Sequence, residues 1–169
     1  MIPQAADIKD DIPTLVRGVL RDTFQSGPFK AFYDGDPDVI PRSSLPAICV
    51  VQMEDTNRLG PTQHDTVTTT LQIRVVFNKE DDWKTNSDRQ DLTDAKIRRI
   101  IGARDKDSGE YLPTTVKGAL NQNYTLGGAT LQQEMGFELN TVPRAPDLVT
   151  REGHLNISYE EYVPVTNRA

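Results

Sequence analysis

The sequence predicts an α+β fold, a central and mostly antiparallel sheet with two or three helices packed on one face. The first sign is a run at 66–77 in which Val67, Thr69, Leu71, Ile73, Val75 and Phe77 alternate with Thr68, Thr70, Gln72 and Arg74, the period of a half-buried strand. The second is the apolar stretch 46–53 just before it, which is apolar on both faces and so belongs to the interior of a sheet. The third is a helical stripe near the N-terminus, Ile8, Ile12, Leu15, Val16, Val19, Leu20 and Phe24, spaced by three and four residues.

The helix under that stripe ends before Ser26-Gly27-Pro28, and Pro13 places its start at Asp11 as N-cap, with Ile12 and Pro13 in the first turn. Residues 29–33 suit a short edge strand that stops at the turn formers Asp34-Gly35-Asp36-Pro37-Asp38. The apolar run and the alternating run then form a hairpin, with 47–53 and 66–77 as the central strands. Residues 54–65, polar and containing Gly60-Pro61, read as a long loop between them, a partner-contacting arm offering Arg58, Leu59 and Gln63.

Beyond Asn78 a polar run surrounds Trp83, which packs as a lid on the core edge or anchors a partner. Ser87-Asp88-Arg89-Gln90 matches a capping box, so a helix starts there with Leu92, Ala95, Ile97, Ile100 and Ile101 inward, Asp88 and Asp91 at its positive end and Arg98, Arg99 and Arg104 toward its negative end, finishing near Gly102. Residues 113–120 suit one or two further helical turns. Gly127-Gly128 leads into an alternating strand through Leu131, Met135, Phe137 and Leu139. Pro143 and Pro146 separate it from a second, with Leu155, Ile157, Tyr159, Glu161, Val163 and Val165, and the two make an extended C-terminal hairpin at about 129–165.

At 169 residues the chain suits one domain, 1–169, with one sizeable core. A net charge of -6 and a pI near 4.9 argue against holding a phosphate backbone, whose affinity comes from Lys and Arg. A single cysteine, Cys49, excludes an internal disulfide framework and, mid-strand, reads as a small buried hydrophobe. No signal-peptide pattern opens the chain and no run has the length of a membrane span, so a reducing, soluble compartment is expected and the sequons at Asn123 and Asn156 count as chance.

Motifs for chemistry fail one by one. Asp34 to Asp38 carries the carboxylates of a calcium loop, but Val39 and Leu45 stand where glycine and glutamate are required. His64, His154 and Cys49 lack the count and spacing of a zinc site, and Cys49 lacks the exposed, electropositive setting of a nucleophile. Gly127-Gly128 precedes a strand rather than a helix N-terminus, so it cradles no phosphate. The expectation is no enzyme, no catalytic residue, no metal and no cofactor.

The order of elements resembles the tail terminator, or tail completion, proteins of tailed bacteriophages. The carrying residues are the helix at 12–20, Leu45-Pro46-Ala47-Ile48-Cys49-Val50 leading into the first long strand, and Thr70-Leu71-Gln72-Ile73-Arg74-Val75 in the second. The resemblance implies a structural virion protein at the neck, assembled in the host cytoplasm, that forms a homo-oligomeric, hexameric ring at the head-proximal end of the tail. Such a ring ends tube growth and joins tail to head connector. Its partners are then the tail tube protein and the head connector or stopper, with a sheath as a further neighbour, and DNA passes through without specific binding. Arg58, Leu59, Gln63, Trp83 and Arg74 are the candidate interface residues. Another neck or baseplate adaptor, and from a different class a hydrolase with scattered site residues, are the alternatives.

Overall fold

The computed structural model describes residues 2–4, 8–60, 63–82 and 92–165. Helix α1 spans Ile12–Thr23 and starts where Pro13 demands: the Asp11 carboxylate accepts from the Thr14 N–H at 3.0 Å, and Pro13 sits in the first turn where no N–H is missed. Strand β1, Ala31–Asp34, follows, and a turn of 3-10 helix, Arg42–Ser44, leads to β2, Ala47–Leu59. β3 is His64–Asn78, and a second 3-10 turn, Lys79–Asp82, follows it. Helices α2, Thr93–Gly102, and α3, Val116–Gln122, then precede β4, Thr125–Leu126, β5, Ala129–Ala145, and β6, Leu148–Pro164.

The strands form one six-stranded sheet in the order β1-β2-β3-β6-β5-β4, antiparallel throughout except for β1 against β2. This is the expected α+β architecture, with one correction to its centre. β3 and β6 are the inner strands, while β2 lies next to an edge and becomes the edge beyond Val50, where its pairing with β1 stops. Its first residues are apolar on both sides because each face of the sheet carries its own core.

The larger core is the helical face. Leu71, Ile73, Val75 and Phe77 of β3 and Leu155, Ile157 and Tyr159 of β6 meet Val16 and Leu20 of α1, Ile97 and Ile101 of α2, and Val116 and Leu120 of α3. Phe24, Phe29 and Phe77 interlock edge to face, with centroids 5.0 and 6.0 Å apart. On the opposite face Ile40 and Leu45, from the β1 to β2 connection, close with Leu148 over Ala47, Cys49 and Val76.

Three local expectations change. Within the expected loop at 54–65, residues 54–59 and 64–65 are strand: β2 runs to Leu59 and β3 starts at His64, in continuous register from Glu54 opposite Thr70 to Leu59 opposite Asp65. Both faces of this ribbon meet water on the β2 side, so its polar composition mimics a loop while backbone pairing holds it as strand. β5 continues through Pro143 to Ala145, with a register shift between Pro143 and Ala145 that absorbs the proline. Helix α2 takes its start from Asp82, whose Oδ1 receives the Thr93 N–H at 2.8 Å and the Thr93 hydroxyl at 2.6 Å. The capping box at 87–90, with Asp88, Asp91 and Trp83, lies outside the described residues.

Gly153 lets α2 approach the sheet. A β-carbon there would overlap Ile97 and lie 2.8 Å from the Phe137 ring. Gly153→Ala is expected to destabilise by about 1–3 kcal/mol in denaturant titration. Gly18→Ala, in α1 with open space at its Cβ, should instead stabilise by about 0.5–1 kcal/mol. The Tyr159 hydroxyl is buried with no hydrogen-bond partner among the described residues. Tyr159→Phe should therefore fold at least as stably as the parent, by up to about 1 kcal/mol, in the same titration.

Candidate functional site

Charged side chains concentrate on the sheet face away from the helices. The register aligns Cys49, Arg74, His154 and Glu138 in one row across β2, β3, β6 and β5, with Val76, Glu152 and Asn140 in the next. Glu152 has no solvent exposure. Arg144, near the end of β5, reaches it with two parallel bonds, Nε to Oε1 at 2.7 Å and Nη2 to Oε2 at 2.9 Å. Its remaining Nη1 donates to Asp36 Oδ1 at 2.6 Å and to the Pro37 carbonyl at 3.1 Å. Arg74 binds the other oxygen of Asp36 and donates from Nε to Gln72 Oε1 at 2.6 Å, and Gln72 passes its amide proton to Asn156 at 3.0 Å.

His154 completes the network. Asn140 Nδ2 donates to its Nδ1 at 3.2 Å, which leaves the ring proton on Nε2, 2.8 Å from Glu152 Oε2. The Thr150 hydroxyl stands 2.7 Å from Glu152 Oε1. Burial alone would raise the Glu152 carboxyl, but the bonds from His154, Arg144 and Thr150 outweigh it and bring the group down to about 2. Arg144 is likewise held in its charged form: burial opposes the charge, and the bonds to Glu152 and Asp36 more than compensate. Two guanidinium groups face two carboxylates, so the cluster is neutral when the imidazole is neutral.

Arg144, Glu152, Asp36, Arg74 and His154 are thus bonded to one another, directly or through a shared partner. Cys49 and His154 are not neighbours, because Arg74 stands between them in the row. Burial pushes the Cys49 thiol up to about 12, well away from a nucleophile. Among the described residues no three His, Cys, Asp or Glu side chains gather as metal ligands would. The Asp36 carboxylate of the rejected calcium motif is occupied by the two arginines. A cleft of about 440 Å³ beside α3 is lined by Arg104, Glu110, Tyr111, Asn121 and Gln122, among others, with a single carboxylate and no imidazole or thiol in its described lining.

The five candidate interface residues divide. Arg58, Leu59 and Gln63 are exposed and sit together at the tip of the β2–β3 ribbon. Arg74 lies along β3 in the middle of the sheet, where Asp36 and Gln72 hold it inside the chain. Trp83 lies outside the described residues. Sequence reading passed over Arg144 and Glu152: one stands among prolines, the other in an alternating strand where glutamate suggests solvent. The available signal was the polar series Thr150, Glu152, His154 and Asn156, too varied for a plain solvated face. Compared with known proteins, the chain matches no family model and no curated protein.

Glu152→Gln leaves a buried arginine half paired and is expected to cost about 3–5 kcal/mol. Asp94→Asn, which breaks the exposed Arg151 pair at 2.7 Å, should cost under about 1 kcal/mol. The Glu152 carboxyl is depressed in the fold, so its contribution is complete above the ordinary 4.5 and is lost as pH falls through about 2. That contribution is about 3 kcal/mol. Denaturant midpoints followed from pH 5 to pH 2 should fall more steeply for the parent than for Glu152→Gln.

Proposed function

We propose that the chain is a structural subunit of a phage neck, a tail terminator that closes as a hexameric ring on the head-proximal end of the tail tube and presents a surface to the head connector. The observation that carries this reading is the β2–β3 ribbon. Residues 51–59, at about 3.4 Å per residue, extend about 30 Å along the open side of the sheet. From Gln52 to Leu59 the β2 side is exposed, and Arg58, Leu59 and Gln63 stand at its end. Long projecting elements of this kind reach neighbours.

The order of elements supports the same reading: the amphipathic α1, Leu45-Pro46-Ala47 leading into β2, and three helices on one face. The internal neutralisation of Arg144, Glu152, Asp36 and Arg74 supports it too, since it leaves a rigid body that acts by shape. An acidic balance suits a ring that DNA must pass without sticking. Subunits meet through two different patches repeated around an axis, and closure of the ring gives the polymer a defined end.

Cryo-EM of tail tubes mixed with the protein tests this, with sixfold density at one end of each tube as the expected image. Replacing residues 58–61 by Gly-Ser should leave the melting transition in place and remove that density. Binding along the tube walls, or at neither end, would reject the terminator reading.

A further inference from the structure

The ring reading uses the reach and exposure of β2 beyond Val50; the order of its side chains carries a further pattern. β1 covers β2 only from Ala47 to Val50, and no other strand pairs on that side among the described residues. The opposite border of the sheet is blunted as natural edges are: β5, beyond the short β4, has three register shifts and Pro143. β2 has one shift, between Gln52 and Glu54, and from Glu54 to Leu59 its register is unbroken. A straight, proline-free edge is a template for another strand.

The sequence of that edge is chemically palindromic about Thr56: Met53-Glu54-Asp55-Thr56-Asn57-Arg58-Leu59. If two copies pair antiparallel about an axis through Thr56, Glu54 of each lies opposite Arg58 of the other and Asp55 opposite Asn57. Residues directly opposite in an antiparallel pair share a face, and the alternation puts Glu54 and Arg58 on one face and Asp55 and Asn57 on the other, so the match is geometrically consistent. Neighbouring registers fail: centring on Asp55 sets that carboxylate against its own copy, and centring on Asn57 sets Asp55 against Leu59. The favoured register also brings Leu59, 73% exposed in the single chain, toward the bulge that holds Met53 of the other copy.

We propose that this edge is a self-recognition surface, through which two copies of the chain join β2 to β2 across a twofold axis and continue their sheets into one. The contact is isologous, the same patch on both copies, and so is separate from the heterologous contacts of a ring. It draws its specificity from the two Glu54 to Arg58 pairs and its backbone bonds from the open edge.

Charge reversal tests this with an internal rescue. In sedimentation velocity over a concentration series the parent should approach twice the 18.9 kDa chain mass. Glu54→Arg and Arg58→Glu should each weaken the dimer on the order of tenfold, since like charges then face each other twice. The double variant, Glu54→Arg with Arg58→Glu, restores opposite pairs and should regain the parent constant. Thr56→Cys should cross-link to itself on mild oxidation, because the axis brings the two copies of that residue together, while Gln63→Cys, off the axis, should not. Thermal melts confirm that each variant is folded. A parent that stays monomeric at high micromolar concentration, an oligomer indifferent to Glu54→Arg, or a double variant that stays as weak as the singles overturns the proposal.

Discussion

Glu152 is a carboxylate with no contact with water, and much of the second face is arranged around keeping it charged. An isolated charge in that position would cost several kcal/mol, so it must be met by opposite charge and by hydrogen bonds to both oxygens. Arg144 meets it from the far end of β5, and having bonded Glu152 it still has donors to satisfy. Asp36 and the Pro37 carbonyl take them, which brings the connection between β1 and β2 down over the sheet. Arg74 shares Asp36. A segment rich in turn formers is thus held by ions as well as by Ile40 and Leu45, and the smaller core beneath it follows from that closure.

The helical face needs no such device. Its members are aliphatic and aromatic side chains at strand and helix spacing, and packing orients α1, α2 and α3, with the exposed Asp94–Arg151 pair tying the start of α2 to β6. Arg42 links the two regions differently. It pairs with Glu80 at 2.6 Å and also binds the Asp147 carbonyl, so both 3-10 turns and the β5 to β6 turn are gathered at one end of the sheet. The other end is left to the ribbon, which fits a reading in which the body is rigid and contacts are made at its extremities.

What the sequence displayed depended on whether a segment had two different environments. β3 separates apolar from polar faces, so its alternation is plain, and α1 could be placed to the residue because Pro13 and Asp11 limit where a helix begins. Residues 54–59 have water on both sides, so periodicity has nothing to report, and only the pairing with β3 reveals a strand. The centrality of β6 was hidden because its second face is polar by composition while buried by position, as Glu152 and Ser158 show. The same ambiguity affected the candidate interface: exposure at Arg58 and Leu59 followed from a polar stretch, whereas Arg74 looked solvent-facing and is engaged by Asp36, which is 38 residues away in sequence.

The ribbon beyond Gln52 on β2 contributes to neither core. Its reach is therefore uncoupled from what stabilises the body. Two residues added to each strand would extend it by about 7 Å and keep every side chain on its original face, while the closing loop would stay the same length. A single-residue change in one strand would instead force another bulge like the one between Gln52 and Glu54. Length in this element can thus vary in quantised steps, each a change of span with almost no change of fold, which makes the reach of the ribbon a heritable trait separate from foldability.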